Sequence, residues 1–255
     1  MDLESLKWDR HNLDLYRIER RLEEYIGLKN EREIRIEEDY LRLCRNLKLV
    51  FFEDNSPQRG TADWDFANTN WELDTSNYVS SPASLHMWDN HSACKITETL
   101  DIPEGRIVAY LRFFRDWGVS PNFPLILAFR NNDDVGTVTT TTEVGLIANG
   151  YNFWLGAYEK EARLYEGDSL IVTKSLVSYP ADAHVFNKYR ITFWISDGVL
   201  IVRPEWYDES AEEWKKLADD LTDSTPAFEE PNNRIGIGAN DGDGWFDDIE
   251  IWKRI

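Results

Sequence analysis

The chain is poor in cysteine and in long apolar runs. Only Cys44 and Cys94 occur in 255 residues, too few for the disulfide framework of a small secreted domain. Cys44 lies in a helical stretch and Cys94 in a strand-like stretch, a placement that indicates buried thiols. No stretch approaches the roughly 18 apolar residues that a membrane span requires. We therefore expect neither a disulfide scaffold nor a membrane span.

The first residues also lack the pattern of a signal peptide. The N-terminus is amphipathic and charged throughout, without a basic start or an apolar stretch. This pattern predicts synthesis in the cytoplasm without export. Action in a virion, or outside the cell after lysis, is compatible with that expectation.

Basic residues are scarce relative to acidic ones. The chain has 28 Lys and Arg against 47 Asp and Glu, a formal net charge of −19. Nucleic-acid binding as the main activity is excluded, because contact with phosphates needs a basic stripe. Solubility explains acids that are scattered along the chain, whereas cation binding would explain clusters of them.

Residues 1–48 contain no proline and one glycine, and they are dense in Glu, Arg and Leu. Apolar residues recur there at a seven-residue spacing, which is typical of helices with coiled-coil character. They are Trp8, Leu15, Leu22, Ile36 and Leu43. The pattern fits two arrangements. One is a helix pair docked on the chain's own domain, and the other is an oligomerising stalk or anchor that binds other copies or other virion proteins.

From Leu49 onward the apolar residues alternate with polar ones. Roughly twelve short strands follow, with turn residues about every 8–15 positions. Ser196-Asp197-Gly198 is the strongest hairpin turn among them. Crossover helices are nearly absent. The sequence therefore predicts a mainly β protein, an antiparallel β-sandwich (jelly roll) over residues 49–255 that is preceded by an α-helical region.

Two acidic pairs mark the ends of the strand-rich region. Glu53-Asp54 lies in the opening strand and Asp247-Asp248 in the closing one. Opening and closing strands are often neighbours in a sandwich, so we expect the four carboxylates to meet. A buried carboxylate needs a partner. That partner is either a hard cation or a set of hydrogen bonds and salt bridges.

Strand alternation distinguishes the two aspartates of the closing strand. Asp247 shares a face with Ile249 and Ile251, whereas Asp248 shares one with Phe246. Unless a bulge intervenes, Asp247 is therefore the residue that points inward.

Aromatic residues are abundant, with 11 Trp, 11 Tyr and 12 Phe. Some must fill a core, and others lie near polar turn residues, where sugar rings stack on indole faces. Such tryptophans are Trp88, Trp117, Trp154, Trp206 and Trp214. The first four are our candidate glycan-binding residues, and packing beneath loops is the alternative.

Four motifs, in this order along the chain, carry a family resemblance: FFED, NYVSSPASLHM, KYRITFWISDGVLIV and GWFDDIEIW. Together they resemble the concanavalin A-like (laminin-G-like) jelly rolls, a family that includes many carbohydrate-binding modules. The resemblance covers about residues 49–255. It implies a structural calcium between Glu53 or Asp54 and Asp247 or Asp248, with backbone carbonyls of residues 77–84 completing the shell.

Catalytic patterns are missing. Glu166 and Asp168 begin the paired-carboxylate pattern of glycosidases with this fold, but Ile171 stands where the second Glu belongs. The four histidines lie in no nucleophile context, and neither a Walker loop nor a dinucleotide fingerprint occurs. We therefore expect a protein that is not an enzyme.

A heptad-like N-terminus and a lectin-like sandwich without a signal peptide occur together in virion fibre, spike and decoration proteins. We expect a non-enzymatic structural or adhesion protein of this kind, whose sandwich faces outward and binds glycans. Two alternatives stay open. One is a polysaccharide-active enzyme or an accessory carbohydrate-binding module, and the other is an intracellular protein-interaction scaffold.

Overall fold

The computed structural model describes most of the chain. The described residues are 31–53, 64–66, 71–80, 83–88, 92–96, 100, 102–119, 125–131, 150–167, 169–226, 234–239 and 243–255. They form a helix and two antiparallel sheets that pack face to face. The predicted mainly β sandwich is thus confirmed.

The elements follow one another in chain order. They are α1 (Glu31–Arg45), β1 (Leu47–Glu53), β2 (Trp64–Phe66), β3 (Trp71–Asp74), β4 (Ser84–Met87), β5 (Ser92–Ile96), β6 (Gly105–Phe113), β7 (Leu125–Asn131), β8 (Tyr151–Gly156), β9 (Glu161–Glu166), β10 (Ser169–Ser175), β11 (Asn187–Ser196), β12 (Val199–Asp208), β13 (Glu213–Lys216), β14 (Leu221–Asp223), β15 (Arg234–Ala239) and β16 (Gly244–Arg254). No helix among the described residues is long and apolar enough to cross a membrane.

Sheet A has the order β13-β12-β11-β6-β16-β4-β3, with β1 also paired to β16 and β14 to β12. Sheet B has the order β10-β9-β8-β7-β15-β5-β2. The core lies between the sheets because alternate side chains of each strand point inward. In β6 these inward residues are Ile107, Ala109, Leu111 and Phe113.

The closing strand β16 lies in the middle of sheet A. It pairs with β6 along one edge, and β4 and β1 share its other edge. The register sets Glu53 opposite Ile249. The opening and closing strands are therefore neighbours, as the sequence predicted.

The hairpin between β11 and β12 turns where the sequence placed it. Asp197 and Gly198 have φ values of 51° and 75°. Two successive positive φ values are the geometry of a tight turn that fits the right-handed twist of its strands. Glycine adopts this conformation without strain, and aspartate is among the few other residues that tolerate it.

Helix α1 packs on the outer face of sheet A. Tyr40, Leu43 and Cys44 are buried there against Trp194 and Ile201. Two members of the seven-residue repeat, Leu43 and Ile36, therefore contact the chain's own sheet. The described part of the helical region is docked, and nothing in it supports a coiled coil. Trp8, Leu15 and Leu22 lie outside the described residues.

Buried charges hold the helix to the sheet. The Arg203 guanidinium donates to both carboxylate oxygens of Glu37, at 2.9 and 2.8 Å, and to Asp220 at 2.7 Å. Its side chain is only 3% exposed. Arg203 is thus a bridge between α1 and the loop before β14. Removing one partner of such a buried network leaves an uncompensated charge.

A second network lies beside the first. Arg190 donates to Glu205 at 2.6 Å and to the Tyr40 hydroxyl at 3.1 Å. Burial alone would raise the pKa of Glu205, but the Arg190 guanidinium outweighs burial and holds that pKa below its ordinary value. Glu205 is therefore ionised at neutral pH, and its charge is matched inside the interface.

We expect Arg203→Met to destabilise the protein by about 3 kcal/mol, because Glu37 and Asp220 lose their buried counterion and keep only the more exposed Lys216. Urea denaturation followed by circular dichroism measures this change. The matched control is Arg35→Met, which removes the exposed ion pair with Asp197. The control should cost less than about 1 kcal/mol. Equal losses for the two variants would contradict a docked helix.

Candidate functional site

Two of the carboxylates singled out by the sequence, Asp247 and Asp248, lie at a junction in sheet A. Strand β4 pairs with β16 as far as Phe246, and β1 pairs with it from Ile249 onward. Between them Asp248 has a φ of 46°, and the register to β6 shifts after Asp247. This irregularity is a β-bulge. It lets Phe246 and Ile249, three positions apart, both enter the core.

The Asp247 side chain fills the gap between β4 and β1. Its Oδ2 accepts hydrogen bonds from the amides of Val79 at 2.6 Å and Ser80 at 3.2 Å. Its Oδ1 accepts one from the amide of Asp248 at 2.9 Å. The carboxylate thereby satisfies backbone N–H groups that have no neighbouring strand to bond.

Asp247 is completely buried and Asp248 is half-buried, but Asp247 lies opposite Tyr110 and not opposite one of the inward residues of β6. The sequence analysis expected Asp247 to share a face with Ile249 and Ile251, and the bulge breaks that alternation. Burial raises the pKa of Asp247 to about 6, against the opposing effect of the Val79 amide. The nearby Asp248 carboxylate contributes to this raised pKa.

The expected calcium site does not fit Asp247. The sequence interpretation placed backbone carbonyls of residues 77–84 around a cation, but Val79 and Ser80 present amide N–H groups instead. A cation needs oxygen lone pairs, whereas Asp247 Oδ2 already accepts two amide hydrogen bonds and Oδ1 accepts one. Asp248 accepts a bond from the Ser80 hydroxyl at 2.8 Å. The Glu53 side chain and Asp54 lie outside the described residues.

Across the part of the chain that the structure describes, no group of three or more His, Cys, Asp or Glu side chains is placed to hold a metal ion. The junction is therefore a carboxylate held by amide donors. Its role is to close sheet A where two strands meet.

Next to the junction, an aromatic stack stands on the outer face of sheet A. The His86 ring lies parallel to Trp245 at 4.3 Å, and the Arg112 guanidinium lies 4.4 Å from the same indole. His86 Nδ1 is 3.0 Å from Glu72 Oε1. Trp88, the first predicted glycan-binding residue, is half-buried with its ring 5.2 Å from His86.

One end of the sandwich gathers three connections between strands. They are residues 114–119 after β6, 157–160 after β8, and 176–186 between β10 and β11. We call these three segments the loop end. Three backbone hydrogen bonds tie the segments to one another or to a neighbouring strand end: Gly118 N to Ala157 O at 2.9 Å, Leu176 N to Lys160 O at 2.9 Å, and Phe113 N to Ala183 O at 3.0 Å.

The loop end concentrates exposed apolar surface. Phe114 and Tyr158 are 37% and 47% exposed, and valines at three positions accompany them. Those valines are Val119, Val177 and Val185. Most of the exposed large apolar side chains among the described residues thus belong to this end. Concentrations of exposed apolar side chains are common at contact surfaces of proteins.

Trp117 supports this surface from below. It is 8% exposed, and its ring contacts Phe113 at 5.3 Å and Tyr179 at 4.9 Å. Its indole N–H is buried and has no hydrogen-bond partner among the described residues. The predicted role of Trp117 as an open stacking ring is wrong, because core packing covers the ring.

Trp154 is also covered, at 5% exposure. The Arg163 guanidinium lies 4.0 Å from its ring centroid, and Glu161 holds that guanidinium at 2.8 Å. A Cβ at position 156 would come within 2.5 Å of the same ring, so only Gly156 fits there. Trp154 therefore packs flat between its neighbours and offers no free face to a sugar.

Trp206 and Trp214 belong to strands of sheet A and pack against it. Trp206 is half-buried against the core and donates from its indole N–H to Ser178 Oγ at 3.0 Å. Trp214 lies over the buried Arg190 guanidinium at 4.1 Å. Both side chains thus have packing contacts, the alternative to glycan binding that the sequence left open.

Phe114 and Tyr158, the rings that reach solvent at the loop end, escaped the sequence interpretation. Each stands in a turn among charged residues, with Arg115 and Glu159 as their neighbours in the chain. An aromatic residue at a turn position is the signal that identifies them. The search for tryptophans near turns selected Trp117 and Trp154, which are buried.

Comparison with solved structures shows the fold. The Ca²⁺/Man3GlcNAc-bound exoplasmic/lumenal domain of VIP36 has a TM-score of 0.51 at 9% identity, covering 76% of this chain and 85% of that one. Its Ca²⁺-bound form also has a TM-score of 0.51, at 11% identity, covering 83% of this chain and 93% of that one. Arcelin-5, a lectin-like defense protein from Phaseolus vulgaris, has a TM-score of 0.51 at 9% identity, covering 81% and 98%.

The shared fold agrees with the β-sandwich that the concanavalin A-like resemblance of the sequence implies. No protein-family model matches the chain, and no curated protein matches it. Identities this low show a shared fold and leave the function to be argued from the site.

We expect Asp247→Asn to lower the melting temperature more at pH 4 than at pH 7. Asn turns one N–H toward an amide donor, so some stability is lost at every pH. In the natural protein the folded-state pKa of about 6 lies above the ordinary 3.8. The contribution of Asp247 is therefore largest at acid pH and declines as the pH rises through 6. The variant has no such decline. The difference in melting temperature between the two proteins should therefore become smaller as the pH approaches 7.

Thermal melts by circular dichroism between pH 4 and pH 7 test this expectation, with Asp197→Asn as the matched control in an exposed turn. The curves should be the same in EDTA and in calcium chloride, because Asp247 is held by amides. A gap that stays constant with pH would contradict the assigned pKa. A gap that appears only with calcium would restore the metal site.

Proposed function

We propose that this protein is a non-enzymatic glycan-binding protein whose binding surface is the loop end. The observation that carries the proposal is the pair of exposed rings, Phe114 and Tyr158, on a rigid end of a lectin-like sandwich. Aromatic rings offer the apolar faces on which the C–H groups of a pyranose stack.

The groups around the rings suit sugar hydroxyls. Asp116, Glu159 and Asp182 are exposed at this end, and their carboxylates accept hydrogen bonds from hydroxyl groups. A site with a few polar groups beside aromatic surface is the usual composition of a small-molecule site. The loop end therefore has both the stacking surface and the acceptors that a sugar requires.

Hydrogen bonds and packing order the loop end, which favours ligand binding. Backbone hydrogen bonds join Gly118 to Ala157 and Leu176 to Lys160, and Trp117 fills the space beneath. Loops that are already ordered lose little conformational entropy when a ligand binds. This support distinguishes the loop end from apolar residues scattered on a surface.

The fold agrees with the proposal. One similar structure is a VIP36 domain with Man3GlcNAc bound, and another is a lectin-like plant protein. A binding role without catalysis also agrees with the carboxylate pair of β16, since Asp247 is fully committed to backbone amides. Adhesion from a virion has no support in the described residues, and the proposal is confined to glycan binding.

We expect Tyr158→Ala and Phe114→Ala each to weaken glycan binding about tenfold, equivalent to about 1.4 kcal/mol. Tyr158 and Phe114 are 47% and 37% exposed, so both variants should stay folded during the titration, with a modest fall in melting temperature that is larger for Phe114. A glycan array identifies a ligand, and titration calorimetry then compares the variants with the natural protein. The matched control is Leu170→Ala, which removes an equally exposed apolar side chain from β10, away from the loop end.

Titration in EDTA and in calcium chloride shows whether a metal contributes, because two similar structures hold Ca²⁺. An array without any bound glycan would overturn the proposal. Full affinity in both aromatic variants would move the site away from the loop end.

A further inference from the structure

The face of sheet A that carries α1 also carries a row of aromatic side chains. The core between the sheets takes alternate residues of β6 and β12, so Tyr110 on β6 and Tyr207 on β12 point outward. Trp214 lies opposite Tyr207 in the sheet. Phe52 lies opposite Glu250, which points outward between two core isoleucines. These four rings are half-buried, and we call them the outer strip.

The charged side chains among these rings have partners on the same face. Lys188 Nζ lies 3.7 Å from Glu250 Oε1 and 5.5 Å from the ring centroid of Tyr110. The Trp214 ring lies over the buried Arg190 guanidinium at 4.1 Å. The outer strip therefore consists of rings and of charges that are already matched. Such a surface suits the apolar side of an amphipathic helix.

The outer strip continues the surface on which α1 is docked. Tyr207 lies four residues beyond Arg203, the anchor of α1, along β12. Four residues of a strand span about 13 Å. Because packed helices have axes about 8–10 Å apart, a second helix beside α1 would lie over the outer strip.

The width of the outer strip sets the length of such a helix. The strip crosses six strands, from β13 through β12, β11, β6 and β16 to β1. Five spacings of about 4.8 Å make it about 24 Å wide. A helix of about 16 residues has this length, since each residue adds about 1.5 Å. Residues 1–30, which lie outside the described residues, are long enough to provide this helix and a turn.

The direction of α1 brings residue 30 to one end of the outer strip. Near the start of α1, Glu37 pairs with Arg203 on β12. Near its end, Cys44 accepts a hydrogen bond from Arg106 on β6. Helix α1 therefore begins over the β12 side of sheet A, and a chain that turned back from there would enter the strip at its β13 end.

The sequence before α1 has the pattern of a helix followed by a turn. Trp8, Leu15 and Leu22 recur at a seven-residue spacing, which sets them on one side of a helix. Gly27 and Asn30 stand just before α1, and both residue types favour turns. The segment thus supplies an apolar side and a place to reverse direction.

We propose that residues 1–30 dock on the outer strip as a helix that runs antiparallel to α1. The apolar side of that helix covers the rings of the strip, and its charged side faces solvent. The two helices then form one layer on the outer face of sheet A. In a stalk, by contrast, the same apolar side would meet other copies of the chain.

Hydrogen exchange of the full chain, followed by mass spectrometry, tests whether the segment is docked. We expect amides of residues 8–26 to exchange at least about tenfold more slowly than in an unfolded chain, because docking protects helix hydrogen bonds. The rates should be equal at two protein concentrations about fifty-fold apart, since the contact lies within one chain. Exchange at the unfolded rate would overturn the proposal. Protection confined to the higher concentration would also overturn it, because a second copy would then be the partner.

Two double variants test the contact from both sides. Leu15→Ser with Leu22→Ser removes apolar side chains from the segment and should speed the exchange of residues 8–26 about tenfold. In the same variant, hydroxyl-radical footprinting should show more oxidation of Tyr110 and Tyr207, because these rings lose their cover. Tyr110→Ser with Tyr207→Ser should speed the exchange of the segment to a similar extent.

The matched control is Tyr78→Ser, which removes an exposed ring from the loop between β3 and β4. It should leave the exchange of the segment unchanged, and an equal response to it would contradict a contact specific to the outer strip. Thermal melts identify a variant that fails to fold, and the leucine variant keeps the described core side chains in place. Faster exchange of the segment without a change in ring oxidation would place the segment elsewhere and overturn the proposal.

Discussion

The sandwich depends on the Asp247 carboxylate and the amides that it accepts from. Two strands, β4 and β1, share one edge of β16, and a side chain occupies the place where neither provides backbone partners. A buried carboxylate is costly by itself, and buried amides without acceptors are costly too. Each offsets part of the penalty of the other here, so the central strand of sheet A is continuous across the junction. The aromatic stack of His86, Trp245 and Arg112 and the loop end both begin from strands that this junction aligns.

The outer face of sheet A follows the same physical rule at a larger scale. Arg203 and Arg190 would be intolerable beneath a helix unless carboxylates met them, and Glu37, Asp220 and Glu205 do so. Rings cover the remaining guanidinium faces, as Trp214 does for Arg190. Charge pairing of this kind fixes one position of α1, whereas an apolar face alone would tolerate sliding. The helix is therefore built into the domain through its charges as much as through Leu43 and Cys44.

Alternation of apolar residues predicts the sandwich because burial between two sheets imposes a period of two on every strand. The same reasoning places β1 beside β16 and the turn at Asp197-Gly198. It fails at Asp247 because a bulge depends on the backbone of Asp248 at positive φ, which no alternation reveals. It also fails for Trp117 and Trp154, since composition cannot tell a ring that faces solvent from one beneath a loop. The seven-residue spacing is ambiguous for a related reason: a helix on its own sheet and a helix in a coiled coil bury the same stripe.

Pairing of β1 with β16 has a consequence for the order of events during synthesis. The strand that opens the sandwich finds its partner about 200 residues later, so it cannot complete its hydrogen bonds until the last strand has left the ribosome. Until then the apolar run from Leu49 to Phe52 stays without a sheet. The acceptor for the amides of Val79 and Ser80 arrives with that same strand. Sheet A therefore closes only after β16 has been made, in a late step that a chaperone or a slow exit from the ribosome would influence.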